Sequence, residues 1–231
     1  MMTKKNLLMP EKPSEKTSEK TLEERLGEKS GKTSPDLILA SASKSRRAML
    51  LSAGIPCSFQ AADVDEAAVK ARMMAQKAAP EKISEQLAID KALAVSPQHP
   101  GKVILGADQL LVCEGRIFDK PENGAEAAEH LRFFRGKSHI LYTSYALIRD
   151  QKILLCETVC PNLTMRDFSE DYLQDYLQKS GGKILGSVGC YLLEDLGPQL
   201  FSEINGDYFA ILGLPLLNVM ENLRKLNILK L

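Results

Sequence analysis

Two short apolar runs, Leu37-Ile38-Leu39-Ala40 and Val103-Ile104-Leu105-Gly106-Ala107, limit the folds open to this chain more than any other feature. Runs of this length are too short for a buried helix and suit strands covered on both faces. The first leads into Ser41-Ala42-Ser43-Lys44-Ser45-Arg46-Arg47 and a helical stretch, Ala48 to Gly54, with glycine as its stop. A second strand is expected over 56–61, and helices over 66–79 and 81–96. The second apolar run is expected to end at Asp108. Gln109–Cys113 and Arg116–Phe118 flank Glu114-Gly115, a hairpin signal. A helix from Gly124 to Phe134 follows, stopped by Gly136. Two β-rich runs, 138–148 and 153–165, predict one long antiparallel pair. Ser169 caps a helix over 170–178, and a last helix is expected from about Pro215 to Leu226. Alternating helices and strands with added hairpins predict an α/β fold with a mixed sheet.

Composition excludes several classes of function. Thirty Lys+Arg balance thirty Asp+Glu, so bulk charge does not hold this chain to a nucleic-acid backbone. Aromatics are 6% and Trp is absent, so a stacking platform for single strands is not expected either. No apolar run approaches the roughly 20 residues of a membrane helix, so no membrane partner is expected. The five cysteines are scattered, without C-x-x-C or zinc spacing. They read as free, mostly buried thiols in a reducing cytosol, hence a cytoplasmic location. None of the three histidines is assigned a catalytic role. Residues 1–35 carry eight Lys/Arg, six Glu and no sustained apolar periodicity, and are expected to be a disordered polar tail. They lack a signal peptide's apolar core, and their glutamates argue against a transit peptide. The folded domain is expected over 36–231.

Four motifs could carry chemistry, each with an ordinary structural alternative. Ser41, Ser43 and Arg46 stand where a helix start offers free N–H groups to an anion. The same residues suit a plain Ser-capped helix, and spacing does not separate the two. Asp108, at the expected strand end, could hold Mg²⁺ or orient water, or simply bond turn amides. Gly106 and Ala107 leave room for close approach. Lys120 could reach a phosphate from its loop, or be solvated there. Asp63-Val64-Asp65-Glu66 offers a metal ligand or an acidic helix start. Arg46 and Lys120 lie in polar segments, so their removal is expected to weaken phosphate binding at little cost in stability. Lys91, between apolar residues in a helix, is unremarkable alone.

Taken together, five blocks resemble the Maf proteins in order and spacing: LILASASKSRRAMLLSAGIP from Leu37, ADVDE from Ala62, LAIDKALAV from Leu87, LGADQLLVCEGRIFDKP from Leu105, and INGDYFAILGLPL from Ile204. The resemblance implies a two-lobed α/β fold related to inosine triphosphate pyrophosphatases, with a nucleotide cleft between lobes and often a homodimer. It implies hydrolysis of a nucleoside triphosphate between the α and β phosphates, with Mg²⁺ or Mn²⁺. By the same resemblance Asp108, Glu66, Lys91 and Lys120 are catalytic, with Asp108 taking the proton of the attacking water. Asp108 and Glu66 are the metal ligands. Ser41, Ser43, Arg46, Gln109 and Glu194 bind substrate. The chain departs from the commoner pattern at Gln109, where most members have Thr, and at Glu194, where most have Gln. Both residues also occur in the branch resembling 7-methyl-GTP pyrophosphatases. A non-catalytic, nucleotide-binding regulator of cell division is the alternative.

Overall fold

The computed structural model describes residues 36–230; the expected polar tail lies outside the described residues. In chain order the elements are β1 Leu37–Leu39, α1 Lys44–Ser52, β2 Ser58–Phe59, α2 Glu66–Ala75, α3 Pro80–Val95, β3 Val103–Cys113, β4 Arg116–Phe118, α4 Gly124–Phe134, β5 Ser138–Arg149, β6 Lys152–Val159, β7 Asn162–Met165, α5 Glu170–Ser180, β8 Phe201–Asn205, α6 Tyr208–Ile211 and α7 Leu216–Lys225. The sheet runs β2-β1-β3-β5-β7-β8, with β4 added to β3 and β6 to β5. β1 pairs in parallel with β2 and β3, and the other ladders are antiparallel, so the sheet is mixed, as expected.

Strand parity explains the two apolar runs. Successive side chains point to opposite faces. Leu37, Leu39 and Leu105 face α1 and α7, packing with Leu50, Val219 and Leu223. Ile38 and Ile104 face α3, packing with Ala92 and Val95. Both faces are covered, so the runs are apolar throughout. Asp108 has the parity of Ile104 and therefore lies on the α3 side.

Three expectations about elements need correction. The second apolar run does not end at Asp108: β3 continues to Cys113 because every residue from Val103 to Cys113 is paired with β5. Asp108 thus sits mid-strand, opposite Ser144. The long antiparallel partner of β5 is two strands, β6 and β7, interrupted at Cys160-Pro161, where proline has no N–H for a ladder. The helix expected over 66–79 stops at Ala75, since Lys77 adopts a positive φ of 55° and Pro80 opens α3. The cysteines are free as expected, but only Cys113 and Cys190 are buried; Cys160 is exposed.

The central pair β3–β5 belongs to two lobes. Along the outer edge of β3, β1 pairs with Leu37–Leu39 against Val103–Leu105, and β4 pairs only from Leu111 onward. Residues 106–110 therefore have a strand on one edge alone. Beyond that stretch a second core forms from Leu111, Phe118, Phe134, Leu163, Leu173 and Phe201. Among the described residues no helix is long and apolar enough to cross a membrane.

Candidate active site

A cleft of about 470 Å³ opens beside the unpaired stretch of β3. All nine residues singled out in the sequence line it: Ser41, Ser43, Arg46, Glu66, Lys91, Asp108, Gln109, Lys120 and Glu194. They come from seven places in the chain: the β1–α1 turn, the first turn of α1, α2, α3, β3, the loop after β4, and the segment 186–194.

Asp108 and Lys91 meet because α3 lies unusually close to β3. A Cβ at Gly106 would stand 2.0 Å from the Ala88 carbonyl oxygen and 2.9 Å from the Ala92 Cβ, so only glycine admits the helix there. The close approach that Gly106 allows is thus made by α3, and not by a ligand. One turn along α3, Lys91 Nζ lies 2.6 Å from Asp108 Oδ1 and 2.9 Å from Glu66 Oε1. Lys91 and Asp108 are both buried, 8% and 5% exposed, so Lys91 is not the solvated mid-helix lysine its neighbours suggested. Asp108 Oδ2 is buried with no hydrogen-bond partner. A buried carboxylate oxygen left open costs free energy unless something donates to it or coordinates it. Burial acts to raise the Glu66 carboxyl, but hydrogen bonding and charge from Lys91, with Lys70 and Lys120, hold it below its ordinary range.

Arg46 departs from the sequence expectation. It is 8% exposed and already bonded: Nε donates to the Gly213 carbonyl at 2.7 Å, Nη1 to the Ala107 carbonyl at 2.9 Å and to Ser41 Oγ at 3.1 Å. The guanidinium fills the open edge of β3 and ties it to the β1–α1 turn and to the loop after α6. Only Nη2 remains outside these bonds, so Arg46 is a structural strut as well as a cleft cation. Burial lowers its pKa, opposed by Asp108 and Glu66. Ser43 caps α1, its Oγ accepting from Arg46 N at 3.4 Å, and Ser41 Oγ accepts from Ser43 N at 3.2 Å. The ordinary capping role of these serines is therefore real, and both residues also line the cleft. Asp65 likewise caps α2, accepting from Ala68 N at 2.9 Å.

Gln109 is partly committed to the fold. Its Nε2 donates to Thr143 Oγ1 and to the Ala210 and Ile211 carbonyls, at 2.9, 2.9 and 3.2 Å. Carbonyls only accept, so this end of the amide is the nitrogen, and the acceptor Oε1 is what Gln109 retains for a ligand. Glu194 lies exposed on the wall formed by 186–194. Burial, then the charges of Arg46 and Lys91, lower the Lys120 ammonium against the pull of Glu66 and Asp108. Burial is the larger cause, and it places a half-buried ammonium among the cations and carboxylates that line the cleft.

The sequence reading missed Lys70, which also lines the cleft. Its signal was available: Lys70 is four residues after Glu66 on α2, hence on the same helix face. Among the described residues no group of three or more His, Cys, Asp or Glu is placed to hold a metal. Two hard carboxylates, one with an unpartnered buried oxygen, do fit Mg²⁺ or Mn²⁺ provided substrate phosphates and water complete the shell.

Residues 36–226 match the family of Maf-like proteins. The chain is 48% identical over 189 residues to a nucleoside triphosphate pyrophosphatase of Granulibacter bethesdensis, covering 82% of this chain and 96% of that protein. It is 43% identical over 195 residues to a protein of the same name from Nitrobacter hamburgensis, covering 84% and 96%. It is also 43% identical over 189 residues to a 7-methyl-GTP pyrophosphatase of Brucella suis, covering 82% and 95%. With nearly all of the described chain matched, and the cleft assembled from the family's blocks, this protein belongs to the Maf-like family.

Proposed function

We propose that the chain is a nucleoside triphosphate pyrophosphatase, hydrolysing an NTP to the monophosphate and pyrophosphate. One observation carries the reading: Asp108, buried with an open Oδ2, lies in a cleft that also holds Arg46, Lys70, Lys91 and Lys120. The names of the relatives from Granulibacter, Nitrobacter and Brucella support it. A triphosphate concentrates negative charge, and its hydrolysis spreads further charge over the phosphoryl oxygens. Lys120, Arg46 Nη2 and the hydroxyls at the start of α1 bind that charge. Lys91 fixes Asp108 through Oδ1, leaving Oδ2 to accept a proton from water. As the water oxygen bonds to the α phosphorus, the α–β bridging bond breaks and its electron pair leaves with pyrophosphate. Asp108 and Glu66 would hold Mg²⁺ or Mn²⁺, whose chemistry there is charge neutralisation and polarisation of phosphoryl oxygens.

Glu194 and the Gln109 Oε1 are assigned to base selection, with 7-methyl-GTP the favoured substrate. Methylation at N7 makes guanine cationic, and a carboxylate favours that charge and accepts from the guanine N1–H and amino group. Beside a thymine or uracil the same carboxylate goes unpaired, which discriminates against them. The test is phosphate release, coupled through inorganic pyrophosphatase, over a panel of 7-methyl-GTP, GTP, dTTP and UTP with Mg²⁺ or Mn²⁺. A best rate with dTTP or UTP removes the base assignment. Nucleotide binding without turnover of any member removes the enzyme and leaves a nucleotide-binding regulator.

A further inference from the structure

We propose that Lys70 and Asp119 form a clasp that positions Lys120 for the triphosphate; this deepens the pyrophosphatase reading of the same cleft and rests on it. Lys70 Nζ is ion-paired and hydrogen-bonded to Asp119 Oδ1, joining α2 to the loop that leaves β4. Asp119 immediately precedes Lys120, and all three residues line the cleft.

The loop is fixed at both ends. β4 holds its start through the pairing of Phe118 with Leu111. At its other end Asn123 caps α4, accepting from Glu126 N at 3.0 Å, while Glu126 Oε2 accepts from Glu122 N at 2.8 Å. Glu126 thus reaches back past the cap and holds the residue before it, as well as donating its own N–H to the cap. Pro121 restricts the backbone of Lys120 to extended conformations. Between those anchors, the direction of Lys120 is set by Asp119, and Asp119 is held by Lys70. The base of the clasp is firm: Val69, adjacent to Lys70, packs with Ile83, Leu87 and Leu110.

The exposure of the pair indicates position more than stability. The side chains are 19% and 68% exposed, and ion pairs open to water contribute little to global stability. Their consequence falls on the residue next in the chain.

The experiment is a double-mutant cycle on the full chain, with Lys70→Met, Asp119→Asn, the double variant and Lys70→Arg. Each is read by steady-state kinetics, by calorimetric binding of an α,β-methylene NTP analogue, and by melting temperature. Each single change is expected to raise KM and the analogue Kd about tenfold with kcat within about twofold, the pattern of lost uniform binding. The double variant should be no weaker than either single one, because both break the same contact. Lys70→Arg should retain most of the affinity, and Tm should stay within about 2 °C. Additive losses overturn the clasp. So does tighter binding in Asp119→Asn, which would mean that Lys70 meets phosphate directly once released. If the wild type binds the analogue but turns over no NTP, the pyrophosphatase reading fails while the binding cycle still decides the clasp.

Discussion

Replacing Arg46 with Ala removes three hydrogen bonds from the middle of the fold, and the result separates a strut from a simple phosphate clamp. The Ala107 and Gly213 carbonyls each lose a charged donor, at 2.9 and 2.7 Å. A buried carbonyl left unsatisfied costs about 1–3 kcal/mol. Water from the cleft can enter the vacated space, which favours the lower part of that range for each, about 2–4 kcal/mol for the pair. For a domain of this size about 2–4 °C of Tm follows each kcal/mol, so the melting temperature should fall by about 4–16 °C. Lys at this position keeps the charge but cannot present a planar fork to several acceptors at once. Arg46→Lys should therefore recover nucleotide binding better than it recovers stability. Calorimetric melting of wild type, Arg46→Ala and Arg46→Lys decides the matter. If Arg46→Ala melts within about 2 °C of wild type while nucleotide affinity collapses, the strut is refuted and the residue is a clamp alone.

Asp108→Asn should keep the fold and lower turnover by about 10²–10⁴, the range of a positioned acid–base group; metal titration of the variant separates loss of the base from loss of a ligand. Gly106→Ala places a methyl group 2.0 Å from the Ala88 carbonyl, so α3 must retreat from β3 at a cost of about 3 kcal/mol. Activity should fall with it because Lys91 rides on that helix, and Tm and kcat of the variant test both effects. His139 is buried and its pKa is lowered to about 4, whereas an unfolded histidine titrates near ~6.5. The unfolded chain binds more protons between those values, so this contribution is full above about pH 6.5 and is lost as the pH falls toward 4, roughly 3 kcal/mol in all. Urea unfolding at pH 7 and pH 5 should show it, with a shallower pH dependence in His139→Gln. Glu66, with its pKa lowered, contributes stability above the ordinary carboxylate range that is lost on acidification, and Glu66→Gln should flatten that acid limb.

Much of this site was legible in the sequence because its parts lie in contiguous blocks. The turn after β1 and the loop after β4 each present their chemistry within a few residues of a recognisable strand or hairpin, and α4 was expected from Gly124 to Phe134 with Gly136 as its stop, as found. What local pattern could not reveal was pairing at a distance. Asp108 reads as a strand terminus, since a carboxylate amid apolar residues usually marks an end. The ladder to β5 carries it through instead, in register with Ser144, 36 residues away. Arg46 reads as a solvated helix-start residue because its acceptors, at 107 and 213, are 61 and 167 residues distant. Lys91 looks ordinary until Gly106 admits its helix to the sheet. The same holds for Lys70, whose partner Asp119 is 49 residues away.

The exchange of neighbours along β3 and β5 has a mechanical consequence. The two lobes are not joined by a linker; eleven- and twelve-residue strands run uninterrupted from one to the other. A rigid rotation of one lobe against the other would have to shear the hydrogen-bonded ladder from Val103–Arg149 to Cys113–His139. The floor of the cleft is consequently stiff, and Asp108 keeps one height relative to both walls whatever nucleotide enters. Breathing falls to the stretch 186–195, which lies outside the ladder. Amide exchange should therefore be slow along 143–148, where β5 is paired on both edges, and fast in 186–195, and a nucleotide should slow the second while leaving the first nearly unchanged.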